Sequence, residues 1–453
     1  MESLRNSCTG QAPVHFFGKL SGVAAGLALA AAPLSSAHAA PAPPHAQRAA
    51  AQSVADFYRA RKNALLWLSP TAGDAAQQLI IALSNARADG LEPDRYRVAA
   101  LQNAWREALN GDRRALERAD RQLSEAFVAY VRDLRRDPGG MIWVDPSLKP
   151  APPTPLAVLL QAASARSLSG YVRDMGWMSP IYGQLRRALL GHLYTSEQER
   201  QRLALNLERA RALPPPSGRS VLVNAAQQRL FMVEDGKVVD SMNVVIGKPK
   251  YPTPMMAALI RFAALNPYWF VPPDLAAERI APNVVKEGLG YLDKKGYQVL
   301  SDWGPNATII DPSTIDWKAV ADGTVEVMIR QLPGPENAMG RMKFMFPNAE
   351  GIYLHDTPEK QLLKEAARLF SGGCVRLEDA PRLGRWLFGR ELNPESAGTE
   401  QPVPLANPVP VYITYLTAMP DGSSIAYFED IYGRDAARVA TLPGEGTVAS
   451  GSR

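Results

Sequence analysis

The sequence predicts an α+β protein in two parts, a helical N-terminal domain followed by a mixed, β-rich one. Three observations carry this reading. Apolar residues recur at three- and four-residue steps as far as Leu213. Pro214-Pro215-Pro216 then stops any helix. Beyond the prolines the apolar period drops to two and a hairpin signal follows.

The 453 residues suffice for two or three domains, each with its own core. A hydrophobic share of 46% and a charged share of 21% are globular values. Fifty basic against 45 acidic side chains leave a net charge of only +5, with no Lys/Arg block, so nucleic acid is not an expected partner. The 2 cysteines, Cys8 and Cys374, cannot build a disulfide framework or a thiolate zinc site. The 5 histidines (His15, His38, His45, His192 and His355) lack metal-ligand spacing, and neither a metal nor a cofactor is called for. Dinucleotide, Walker and nucleophile-elbow signatures are missing as well.

Taken in order, Arg5 and Lys19 precede a 13-residue apolar run, Leu20 to Ala32, and then small residues ending Ala37-His38-Ala39. Residues 1–39 are thus expected to be a secretory signal, leaving no stable membrane span once cleaved; an uncleaved anchor is the competing reading. The helical domain is placed at 50–213. Within it, Asp74 is expected to cap a helix carrying Leu79, Ile80 and Leu83 that stops at Asp89-Gly90. Asp112 is expected to cap a longer one, with Leu116, Ala119, Leu123, Phe127, Tyr130 and Leu134 on one face and Pro138-Gly139 at its end. A third runs from about Ser196 to Leu213. The second domain, 219–435, begins with a strand at Val221-Leu222-Val223. Arg229 to Glu234 and Lys237 to Val245 flank Asp235-Gly236, a two-residue turn that tolerates positive φ. Dense prolines and glycines from Gly247 to Pro273 and from Pro333 to Pro347 predict long loops around a site. Val409, Val411, Ile413 and Tyr415 alternate as in a strand, and Asp421-Gly422 leads into another, Ser424 to Phe428. Residues 436–453 read as a flexible tail.

The chemistry concentrates near Cys374. Once the signal is removed, it is a lone thiol with no disulfide partner. His355 lies 19 residues upstream, across a stretch expected to be helical from Glu359 to Phe370. It is the only histidine of the β-rich half, and a nucleophilic cysteine needs such a base. Gly372 and Gly373 let backbone N–H groups converge on a developing oxyanion. Arg376 could hold a substrate carboxylate by a bidentate pair. Together they indicate a cysteine acyltransferase or peptidase.

At these residues the sequence resembles the L,D-transpeptidases of bacterial cell walls, in particular the large periplasmic type with a helical scaffold domain. Val245-Ile-Gly-Lys248, Thr253-Pro254, Asn266-Pro-Tyr-Trp-Phe-Val-Pro272, Pro333 to Gly340, Lys343-Phe344 and Phe346-Pro-Asn348 look like that family's landmarks in order. So do Tyr353-Leu-His-Asp-Thr-Pro358, Ser371-Gly-Gly-Cys-Val-Arg376 and Asp430-Ile-Tyr-Gly433, while Asp89 to Tyr96 resembles the scaffold domain. Two departures stand out. Gly372 replaces the histidine of the commonest motif, and no peptidoglycan-binding module fits between Tyr182 and Arg209.

The resemblance implies a cofactor-independent transfer at the cell envelope, with peptidoglycan stem tetrapeptides as donor and acceptor and wall-synthesis proteins as partners. Cys374, as thiolate or by proton transfer to His355, would attack the carbonyl preceding the terminal D-alanine. D-Alanine would leave, and the side-chain amine of a second stem would resolve the thioester. Gly373 would supply an oxyanion N–H, with Gly372 beside it. Arg376, Tyr353, Trp269 and Ser371 are the candidates for the substrate wall. A backbone carbonyl or Asp356 would orient His355. Slow acylation by carbapenems is also implied. The alternatives are hydrolysis at the same site (a carboxypeptidase or endopeptidase), attachment of an outer-membrane protein, and a non-catalytic wall-binding scaffold.

Overall fold

The computed structural model describes residues 53–439, apart from 111, 305 and 397. The expected signal, 1–39, and the part of the expected tail from 440 onward lie outside the described residues. Among the described residues, no helix is long and apolar enough to cross a membrane.

The N-terminal half is helical as expected. Asp112 caps Arg113–Leu134 by accepting the Arg114 N–H, and that helix buries Ala119, Leu123, Phe127, Tyr130 and Leu134, with Leu116 at the margin. Asp74 precedes the helix Ala75–Ser84 without capping it, because its carboxylate instead takes Gln78 and Ser169. Ser196 caps Glu197–Ala210. Two further helices, Pro155–Ser164 and Pro180–Leu190, start with a Thr or Ser cap followed by proline at the first helical position.

Asp89 is the buried centre of this half. Its carboxylate accepts from the Tyr130 and Tyr182 hydroxyls, both at 2.6 Å, and from Arg186 Nε at 2.8 Å. Just beyond the adjoining turn, Arg95 and Tyr96 both bond Asp133 on the same long helix.

In the second half, Arg219–Asn224, Arg229–Glu234 and Lys237–Gly247 form the expected meander, turning at Asp235 (φ 46°) and Gly236 (φ 77°). Part of the region expected to be loop is in fact a central strand, Met256–Leu265. It pairs with Gln401–Thr414 on one side and with Met342–Met345 on the other, which closes the main sheet into a barrel. Alternation decides which side chains enter the barrel. Val221, Val223, Met256, Ala258, Val411 and Ile413 point inward. Leu222, Tyr412 and Ala257, neighbours in one cross-strand row, point outward into the helical core. The two domains therefore share apolar packing, reinforced where Asn206 bonds both the N–H and the hydroxyl of Thr417.

Between Leu265 and Met342 the chain inserts a small four-stranded sheet in the order Trp269–Val271, Met328–Gln331, Tyr297–Leu300, Ile309–Ile310, with its own core around Val271, Ile280, Val299 and Ile329. Two other expectations are corrected. Glu359–Phe370 makes only one 3-10 turn, Lys360–Lys364, since Arg368 is drawn out flat by bonds to Gln228 and Val244 and by pairing with Ile246. Residues 436–439 lie in the helix Arg434–Val439, because Asp430 accepts the N–H groups of Arg434, Asp435 and Ala436.

Asp89→Ala should strand the Arg186 guanidinium and two phenols without their acceptor, at a cost of about 3–5 kcal/mol. Denaturant unfolding of the full chain measures this; a loss below about 1 kcal/mol would contradict the assigned role.

Candidate active site

The site is set by register. Leu354–His355 runs parallel to Val375–Leu377, pairing Leu354 with Val375 and His355 with Arg376. Paired residues of adjacent strands share a face, and successive residues alternate. Continued by one residue, the register sets Cys374 across from Tyr353, on the face that also carries His355 and Arg376. The chain thus brings thiol, imidazole, phenol and guanidinium to one side of two adjoining strands. Lys343 pairs with His355 from the opposite strand, so the imidazole sits between two cations in a single row.

His355 is buried, and its Nδ1 lies 2.6 Å from the Asp356 carbonyl oxygen. A carbonyl only accepts, so Nδ1 carries the proton and Nε2 presents a lone pair. That carbonyl is the orienting group; the Asp356 carboxylate instead accepts from the Arg341 N–H and from Lys360 Nζ at 2.7 Å. Lys360 also donates to the carbonyls of Leu377 and Glu378, tying the segment after His355 to the exit of the cysteine strand.

Cys374 is half-buried. Its Sγ donates toward the Gly351 carbonyl at 3.4 Å, and the Tyr353 N–H is directed at the sulfur. Crowding by the surrounding protein pushes the thiol up, against the opposing pull of that N–H, Arg376 and Lys343. Burial first, then Arg376 and Lys343, pushes His355 down to about 3. Near neutrality the resting pair is therefore a neutral thiol and a neutral imidazole, not the ionised sulfur entertained from sequence.

The loop before the thiol departs from expectation. Gly373 adopts φ 116°, a region open to glycine, but its N–H is taken by Ser371 Oγ at 3.1 Å. The backbone N–H of Cys374 meets no acceptor among the described residues. Ser371 spends its one proton on the Cys374 carbonyl, at 2.6 Å, and retains no donor for a substrate. Gly372 is exposed, and a Cβ there would come within 3.1 Å of Leu275 Cδ1 from the inserted sheet's helical flank.

The remaining wall candidates separate. Tyr353 is half-buried beside the thiol, its hydroxyl pushed up to about 12 by burial and by Cys374. Arg376 is buried and ion-paired with Glu359, so it bears on the site through its field rather than as an open carboxylate clamp. Trp269 packs against Tyr297 and the core of the insert. From sequence, Lys343 stands only within a family landmark, and neither it nor Lys360 receives a role. Lysine is a common type with no spacing signal, and the folded register is what sets Lys343 beside His355. Among the described residues there is no cluster of His, Cys, Asp and Glu suited to a metal.

Comparison with known proteins bears on the two-domain order of the chain. Residues 52–189 match the Scaffold domain family, and residues 218–409 match the YkuD family, the L,D-transpeptidase catalytic domain. A Haemophilus influenzae protein named "Putative L,D-transpeptidase" is 28% identical over 285 residues, which is 61% of this chain and 57% of that protein. The chain thus matches little more than half the length of this curated relative. Solved structures share less. An L,D-transpeptidase from Mycobacterium smegmatis is 15% identical over 44% of this chain and 59% of its own, with a TM-score of 0.22. L,D-transpeptidase 3 from Mycobacterium tuberculosis is 13% identical over 45% and 65%, also with a TM-score of 0.22. Overlap that slight leaves the assignment to the two domain matches and the curated relative. On those grounds the chain carries a helical Scaffold domain followed by a YkuD-type L,D-transpeptidase catalytic domain.

Proposed function

We propose that this protein is a cysteine-dependent peptidoglycan L,D-transpeptidase, exported to act on the wall. One observation carries the reading above all. A half-accessible thiol shares a strand face with an imidazole whose Nε2 lone pair is available. Cys374 Sγ attacks the carbonyl before the terminal D-alanine of a stem tetrapeptide while its proton passes to His355 Nε2. The Cys374 N–H, rather than that of Gly373, stabilises the oxyanion. D-Alanine departs with the proton from His355, leaving a thioester. The side-chain amine of a second stem then loses a proton to His355 and closes the cross-link, restoring the thiol. No cofactor enters. Wall-synthesis proteins are the partners this reading implies.

Starting from a neutral pair makes chemical sense. With His355 pushed down to about 3 by burial, Arg376 and Lys343, its Nε2 is unprotonated when substrate arrives. Lys343 and Arg376 then disfavour a lasting imidazolium, which drives the proton on to the leaving amine.

Three measurements test this. Cys374→Ala should abolish D-alanine release from muropeptides while circular dichroism stays unchanged, and continued product formation would refute the nucleophile. With wild-type protein, mass spectrometry should find dimeric muropeptides; shortened monomers alone would mean hydrolysis instead of transfer. Intact mass should show one carbapenem adduct on the wild type and none on Cys374→Ala.

Alkylation of Cys374 by iodoacetamide should rise with pH through and beyond about 8.5, the ordinary thiol value, with no inflection near 6.5. The sign follows from the shifts: the base is already neutral across this range, so only thiol ionisation adds reactivity. A clear step near 6.5 would mean that His355 titrates normally.

A further inference from the structure

The Gly373–Cys374 peptide is anchored at one end and open at the other. Its carbonyl accepts from Thr253 Oγ1 at 2.7 Å, while the Cys374 N–H meets no acceptor among the described residues. A planar trans peptide points its C=O and N–H in opposite directions. Fixing the carbonyl therefore aims the N–H.

Thr253 is itself held on every polar atom. It is fully buried, and its Oγ1 accepts the Gly247 N–H at 2.9 Å, so its single hydroxyl proton is left for the Gly373 carbonyl. Its N–H donates to Tyr432 Oη at 3.3 Å, and its carbonyl accepts from Arg434 Nη2 at 2.9 Å. The Tyr432 hydroxyl donates in turn to the Gly247 carbonyl at 2.6 Å. A rigid brace thus runs from the C-terminal segment to the thiol loop, whose Gly373 holds φ 116°.

We propose that Thr253 is a positioning residue for acyl transfer: its hydroxyl fixes the Gly373–Cys374 peptide so that the Cys374 N–H faces the developing oxyanion, and Tyr432 braces Thr253. This rests on the reading of Cys374 as nucleophile with its own N–H as oxyanion donor. Thr253 touches no reacting atom and acts through that peptide alone.

The test compares two electrophiles on the same thiol of the full chain. Iodoacetamide is attacked at a saturated carbon and forms no oxyanion. A carbapenem is attacked at its lactam carbonyl: the S–C bond forms, the C–N bond breaks, and the ring nitrogen takes the proton released by sulfur. Thr253→Val should slow carbapenem acylation by about 10²-fold and alter iodoacetamide alkylation by less than about twofold. Thr253→Ser, which keeps the hydroxyl, should restore acylation. Tyr432→Phe leaves that hydroxyl intact and should slow acylation to a smaller degree, again without affecting alkylation; it serves as the test if Thr253→Val fails to fold. Equal slowing of both reactions, or of neither, would overturn the proposal. Wild-type protein that is alkylated but never acylated would overturn the transferase reading and this one with it.

Discussion

The bond from the Val375 N–H to the Tyr353 carbonyl, 3.0 Å long, joins the two short strands on which the site depends. Those strands are brief, Leu354–His355 and Val375–Leu377, yet they are held from both flanks: Met342–Met345 pairs with one and Lys237–Gly247 with the other. The barrel exists in part to hold this pair in register. A slip of one residue would send His355 to the interior face and Val375 to the cleft. Lys360 guards against that by bonding residues after both strands at once.

The electrostatics follow from the same register. His355 lies between Lys343 and Arg376, and each cation has a more exposed carboxylate on its far side, Glu400 and Glu359 respectively. Buried charge of this kind is tolerable only with such partners. The result is a positive field around a neutral base, suited to stabilising a sulfur that gains negative character only during reaction. The inserted sheet contributes shape. Leu275 sits where a side chain at position 372 would extend, which gives a steric reason for glycine there.

Much of this was legible before folding. The turn at Asp235-Gly236, the cap at Asp112 and the alternation from Val409 to Ile413 are local signals, and local signals survive. Cys374 and His355 stood out through scarcity. Met256–Leu265 did not, because it lies inside a run of prolines and glycines that reads as loop; its alanines are small because neighbouring strands and the helical domain close on them. Glu359–Phe370 reversed in the same way, its helical propensity overruled by pairing with distant residues. The insert hid because none of its short strands forms a pattern by itself. The caps at Thr154-Pro155 and Ser179-Pro180 are local signals of the same kind. Which N–H groups near the thiol stay unoccupied depends on hydroxyls placed by the fold, and no spacing rule supplies that.

The outward row Leu222, Tyr412 and Ala257 changes the meaning of the three prolines at 214–216. They look like a spacer between independent modules. With greasy surface from both halves merged across the junction, they act as a stiff corner that turns the chain from one wall of a common interior to the other. Cutting there would not liberate a working catalytic piece so much as strip the barrel of its dry backing.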